Sequence, residues 1–190
     1  LLSLIFALRL PKKPTRPPGS ESAQNGSFLD LKTLHPAVMS FLVHILWGAL
    51  GAFFPLYAVS QGVANPGFFF GACALTLIVG RMFGGRILDR YNRERVILPC
   101  LIAFIVSMTL LSFSKTLPLF ILVAVIYGAG IAFFFPTMVV YTIERAGSAR
   151  GPAMGTFTAA GDLGMGLGAV IMGVIVRLTD YPTMFLCLAP

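Results

Sequence analysis

From residue 37 onward the chain alternates long apolar runs with short polar connectors. Five runs, 37–60, 66–88, 96–114, 117–142 and 153–176, hold almost no charge, and a sixth opens at 182 and continues to 190. A helix rises about 1.5 Å per residue, so about 20 apolar residues cross the roughly 30 Å hydrocarbon core of a bilayer. The runs are too long for strands, and a lone strand leaves its backbone groups unpaired in lipid. The pattern predicts an all-α, polytopic membrane helix bundle over 36–190 whose last helix is truncated. Residues 1–10 read as the end of a preceding transmembrane helix. Residues 11–35 include most of "RLPKKPTRPPGSESAQNGS" and read as a polar central linker.

Composition agrees with this pattern. Hydrophobic residues make up 57% of the chain and charged ones 11%, against about 25% in soluble domains. The formal charge of +7 sits in blocks between apolar runs, which points to a membrane surface and not to nucleic acid. The linker carries Arg9, Lys12, Lys13, Arg16 and Lys32. The connector after the second run carries Arg86, Arg90, Arg93 and Arg95, and the one after the fourth carries Arg145 and Arg150. The alternate connectors hold only Lys115 and Arg177, and Arg81 lies inside a run. Basic residues collect on the cytoplasmic side, so the linker and the Asp89 loop are predicted to be cytoplasmic, with the first complete helix running outward.

Cys73, Cys100 and Cys187 lie in apolar segments without metal-ligand spacing, and they read as small buried apolar residues. The two histidines, His35 and His44, form no metal motif and no nucleophile–base pair stands out, so an enzyme, a metal site and a cofactor are not expected. No phosphate-binding Gly-Lys-Ser loop is present. The chain opens on Leu1 and closes on "FLCLAP" within an apolar run, so it reads as part of a longer protein.

The connector "GRILDRYNR", Gly85 to Arg93, resembles the cytoplasmic signature loop of the major facilitator superfamily (MFS), which runs Gly, any, Leu, Ala, Asp, Arg, any, Gly, Arg. Gly85, Asp89, Arg90 and Arg93 match. Ile87 replaces Leu, and Asn92 replaces the second Gly, a change that a residue tolerant of left-handed backbone accommodates. "RAGSARGPAMGTFTAAGDLGMGLG" is similar to the loop and fifth helix of the C-terminal half in efflux-type members. The resemblance covers the whole chain. It implies the C-terminal six-helix half of a transporter, with an N-terminal six-helix half as missing partner. It also implies a gating loop of Gly84, Gly85, Asp89, Arg90, Arg93 and Glu144. In it the glycines admit a close helix approach, Asp89 accepts from a neighbouring helix start, and Arg90 and Arg93 pair with Glu144.

Four intramembrane residues are candidates for a substrate or proton site. Asp162 is acidic inside a run, at a cost of roughly 2.5–3.5 kcal/mol at mid-helix, and its glycine-rich helix is expected to be buried against protein or to face a cavity. Arg81 lies at matching depth and is its candidate partner. His44 and Trp47 stand three apart on one face of the first complete helix. For each, the alternative is a packing role: Asp162 bonded to backbone or to Arg81, His44 a satisfied buried imidazole, Trp47 simple packing. Pro55 and Pro136 fall at corresponding places in the first and fourth helices, where bends accompany transporter sites. Tyr57, Tyr127 and Tyr141 offer hydroxyls, and no spacing selects among them.

The expected function is secondary active transport of a small molecule by alternating access, with proton-coupled efflux as the form the resemblance suggests. The expected location is the plasma (inner) membrane, with the lipid bilayer as surroundings. The alternative is a non-transporting half-protein or membrane scaffold that needs a partner half.

Overall fold

The computed structural model describes residues 31–90, 92–147 and 149–189, with the side chains of 34–82, 92–147 and 149–189. Among the described residues six helices follow one another: α1 Leu31–Ser60, α2 Gly67–Arg90, α3 Arg93–Phe113, α4 Leu117–Ala146, α5 Arg150–Leu178 and the short α6 Tyr181–Leu186. Among the described residues, four helical stretches are long and apolar enough to cross a membrane: Leu34–Ser60, Arg93–Phe113, Leu117–Ala146 and Arg150–Leu178. The described apolar part of α2, Gly67–Met82, is shorter.

Helix α1 begins at Leu31, inside the stretch 11–35 expected to be linker. Pro36 stands just past that stretch, in the second turn of α1, and the helix continues through it. Pro55 and Pro136 lie within α1 and α4, and both helices continue through them.

Helix α4 is the hub. It packs on α2 and α3, and also meets α1 and α5. The most extensive pairing is α1 against α5, and glycine explains how close it is. Gly161, Gly164 and Gly168 share one face of α5. A Cβ at Gly168 would lie 2.6 Å from the carbonyl oxygen of Ile45, and one at Gly164 would strike the carbonyl of Phe41. From the other side, a Cβ at Gly48 of α1 would strike the carbonyl of Met165. Small residues let helix backbones touch, which is how helices associate in lipid without a hydrophobic driving force between them.

The glycine-rich helix is therefore buried on one face only. Leu163, Val170 and Val174 on the rest of α5 are exposed in this chain. Alternating glycines and large apolar residues give it two different surfaces.

At the end of the bundle that holds the α1–α2 and α3–α4 connectors, aromatic rings lock the helices together. Phe54 stacks on Phe69 with centroids 3.8 Å apart and meets Phe120 edge-on at 5.3 Å. Tyr57 packs against Phe120 and Phe185, and its hydroxyl donates to the Ser114 carbonyl at 2.7 Å. Aromatic pairs of this kind contribute about 0.5–1.5 kcal/mol each beyond burial. This cluster holds one end rigid while the cavity lies further along the same helices. Cys73 and Cys100 are buried as expected, whereas Cys187 is exposed because it follows α6 at the edge of the bundle.

Candidate functional site

One cavity of about 320 Å³ lies among α1, α2, α4 and α5, and it gathers His44, Trp47, Arg81 and Asp162. Tyr127 and Phe135 of α4 complete its aromatic wall, and the remaining lining is aliphatic or Met165. Small-molecule sites span roughly 300–1,000 Å³ and are mostly apolar with a few polar groups, which describes this cavity at the small end of the range.

His44 has a defined orientation. Its Nδ1 lies 2.7 Å from the Ser40 carbonyl oxygen one turn earlier, and a carbonyl can only accept, so Nδ1 carries the proton. In the neutral ring Nε2 is then the acceptor. The Ser40 hydroxyl donates across to the Phe157 carbonyl of α5 at 3.1 Å and fixes the turn beneath the ring. The imidazole meets Phe135 edge-on at 5.2 Å. It occupies the space in front of Gly161, where a Cβ would come within 2.8 Å of Cε1. The expectation for His44 named no partner, because its partners are a backbone carbonyl and a bare glycine.

Arg81 and Asp162 are both exposed and both line the cavity. They are not an ion pair. Among the described residues the salt bridges are Arg93–Glu144 and Arg145–Glu94. The expected alternative in which Arg81 holds Asp162 is therefore absent, although the two share one chamber.

The structure separates the three tyrosines. Tyr57 belongs to the aromatic lock, and Tyr141 lies beneath the Arg145 guanidinium, whose Cζ is 4.4 Å from the ring centroid. Tyr127 lines the cavity, nearly parallel to Trp47 at an interplanar angle of 9° and a centroid distance of 6.2 Å. Its buried hydroxyl has no hydrogen-bond partner among the described residues. Tyr127, Ser40 and Gly161 carry no sequence signal that marks them out, since hydroxyls and glycines abound in these helices.

At the opposite end, the start of α3 and the end of α4 are clasped twice. Arg93 Nη2 lies 3.2 Å from Glu144 Oε1, and Arg145 Nη2 lies 3.7 Å from Glu94 Oε1. Consecutive residues on each helix carry opposite charges, so the two pairs cross in opposite sense. Glu94 in the first turn of α3 and Arg145 in the last turn of α4 also complement the helix dipoles. The side chains of Gly84, Gly85, Asp89 and Arg90 lie outside the described residues. The backbone there is the end of α2.

The family model of the Major Facilitator Superfamily matches residues 1–190. The chain belongs to the Major Facilitator Superfamily. With that membership and four apolar spanning helices, it is an integral, multi-pass membrane protein. It is similar to the staphylopine export protein of Staphylococcus aureus, at 26% identity over 166 residues, covering 84% of this chain and 41% of that protein. An MFS-type transporter of Pseudomonas aeruginosa is 28% identical over 190 residues, covering 98% of this chain and 47% of the relative. Multidrug resistance protein 2 of Bacillus subtilis is 23% identical over 162 residues, covering 82% and 36%. The chain thus spans less than half the length of these curated relatives. Among solved structures, that of the nucleoside transporter NupG aligns with a TM-score of 0.69 at 22% identity, over 99% of this chain and 54% of that one. The likeness establishes the MFS fold.

Proposed function

We propose that the chain forms the C-terminal half of a secondary transporter, which moves a small molecule across the membrane by alternating access, with efflux as its direction. The observation that carries the reading is the gathering of Arg81, Asp162, His44 and Trp47 from three helices into one cavity inside a membrane bundle. Ionisable groups inside a membrane are costly and mark substrate or ion paths. Relatives named for staphylopine export and multidrug resistance support an exported substrate. An N-terminal six-helix half completes the cavity, and the uncovered face of α5 is a surface for it. The scaffold alternative has no comparable observation in its favour, because a scaffold needs no charged chamber.

The clustering of basic residues supports placing the Arg-rich ends on the cytoplasmic side, in the plasma membrane. In that orientation Gly84, Gly85, Asp89, Arg90, Arg93 and Glu144 form a cytoplasmic gate, and the Arg93–Glu144 contact is one of its latches. Asp162 is the proton-carrying candidate of the cavity.

The test is a transport assay in membrane vesicles. Asp162→Asn is expected to abolish transport or to remove its pH dependence. Normal transport with unchanged pH dependence in that variant excludes proton coupling at Asp162. Asp89→Asn is expected to slow transport, and unchanged rates refute the gate.

A further inference from the structure

The cavity contains one cation and one anion that do not hold each other. Arg81 and Asp162 line the same chamber, and neither takes part in a salt bridge among the described residues. Among the described lining residues no other Asp, Glu, Lys or Arg is present, and the formal charges of Arg81 and Asp162 cancel. The rest of the described wall is apolar and aromatic, apart from the His44 ring, whose Nδ1 is engaged by Ser40, and the buried Tyr127 hydroxyl, which has no partner among the described residues.

We propose that this cavity takes a small amphoteric molecule, one carboxylate and one ammonium on a flat apolar body, with the carboxylate at Arg81 and the ammonium at Asp162. The proposal rests on the transport reading and names its substrate class. The physical reason is charge balance. A guanidinium pairs well with a planar carboxylate, and a carboxylate accepts from an ammonium. A singly charged ligand satisfies one wall and leaves its own charge unopposed against the other. A neutral ligand displaces water from both charges and restores neither, and an uncompensated charge away from water is the costly state. The ring of such a ligand has Trp47 and Tyr127 beside it, where aromatic contact is favourable. His44 Nε2 can accept from a ligand donor.

The chain supplies its own reporter, because Trp47 is its single tryptophan and lines the cavity. The full chain, purified in detergent, is titrated with four compounds that share one phenyl body: phenylalanine, phenethylamine, 3-phenylpropionate and 2-phenylethanol. Trp47 fluorescence is read with excitation where phenyl rings do not absorb, and Trp47→Phe confirms the source of the signal. Phenylalanine is expected to give a saturable change with an affinity at least about ten-fold above that of each analogue, the factor that about 1.4 kcal/mol supplies. Arg81→Gln is expected to erase the preference over phenethylamine, and Asp162→Asn the preference over 3-phenylpropionate. Equal or tighter binding of any single-charge or neutral analogue overturns the proposal, as does the absence of a response to all four. The transport reading is tested separately: vesicle uptake of phenethylamine that Asp162→Asn abolishes upholds transport while sinking the amphoteric assignment. Absence of transport for all four compounds, with phenylalanine still bound in preference, sinks transport and leaves the cavity assignment standing.

Discussion

The imidazole of His44 fills the space that a side chain at Gly161 would need: a Cβ there lies 2.8 Å from Cε1 and 3.0 Å from each ring nitrogen. The ring cannot withdraw freely, because Nδ1 is tied to the Ser40 carbonyl. Gly161→Ala must therefore push His44 out of its place or separate α1 from α5. The expected cost is about 1–3 kcal/mol, as for overpacked cores, together with an altered Trp47 emission, since Trp47 is one turn along the same helix. Gly155→Ala is the control. A Cβ there meets nothing within 4 Å, and the change in a fluorescence-monitored melt is expected to stay within about 0.5 kcal/mol of wild type.

Tyr57 and Tyr127 are both fully buried, yet only Tyr57 spends its hydroxyl on a protein acceptor, the Ser114 carbonyl at 2.7 Å. Tyr57→Phe leaves that carbonyl short of a donor and is expected to destabilise the bundle by about 0.5–1.5 kcal/mol without changing the cavity. Tyr127→Phe removes a buried hydroxyl that has no partner among the described residues, so it is expected to leave stability unchanged or slightly raised and ligand binding unchanged. Paired melts distinguish the two, and Trp47 titrations check that binding is unchanged. A Tyr127→Phe chain that melts lower than Tyr57→Phe contradicts this account.

The crossed pairs Arg93–Glu144 and Glu94–Arg145 are partly exposed, with side-chain accessibilities of 28% and 52% for the first and 78% and 43% for the second. Each is therefore expected to contribute only about 0.2–1 kcal/mol to stability. Their effect on transport rate is expected to be larger, since a latch acts on one step of the cycle. Arg93→Glu is expected to accelerate opening of that end, and Arg93→Glu combined with Glu144→Arg to restore it. A double-mutant cycle in vesicles at low and high salt checks this, with coupling that shrinks as salt rises. Additive single effects count against the latch.

Asp180 caps α6: its carboxylate accepts from the Thr183 amide at 2.9 Å, and hydrogen bonding from the Thr183 hydroxyl first and from this amide second holds its pKa below the ordinary carboxylate range. A depressed pKa means that the cap contributes stability above the unfolded value, near 4, and loses it as pH falls through the lower folded value. Amide exchange at Thr183 is expected to accelerate in that acid window. In Asp180→Asn the acid-dependent step is expected to vanish, and its persistence assigns the transition to another group.

The helices, their order and the distribution of charge between the two ends follow from properties that can be counted along one dimension. An apolar run long enough to cross lipid has no alternative to helix, because its backbone groups must pair within the segment. For the same reason the "GRILDRYNR" loop and the acidic and basic residues at helix ends were legible without coordinates, and so was the interest of Asp162, Arg81, His44 and Trp47 as polar residues in apolar runs. What the sequence did not decide is how each helix is rotated about its axis, and that rotation determines which side chains meet. The close seam of Gly48, Gly161, Gly164 and Gly168 sets it for α1 and α5. The seam turns His44 onto Gly161, leaves Leu163 and Val170 uncovered, and brings Asp162 into the chamber that Arg81 enters from α2 without letting the two pair. Glycines have no side chain to advertise their partner. Backbone contacts between helices distant in sequence leave no periodic trace, so only the tertiary structure could separate Tyr127 from Tyr57 and the seam face of α5 from its open face.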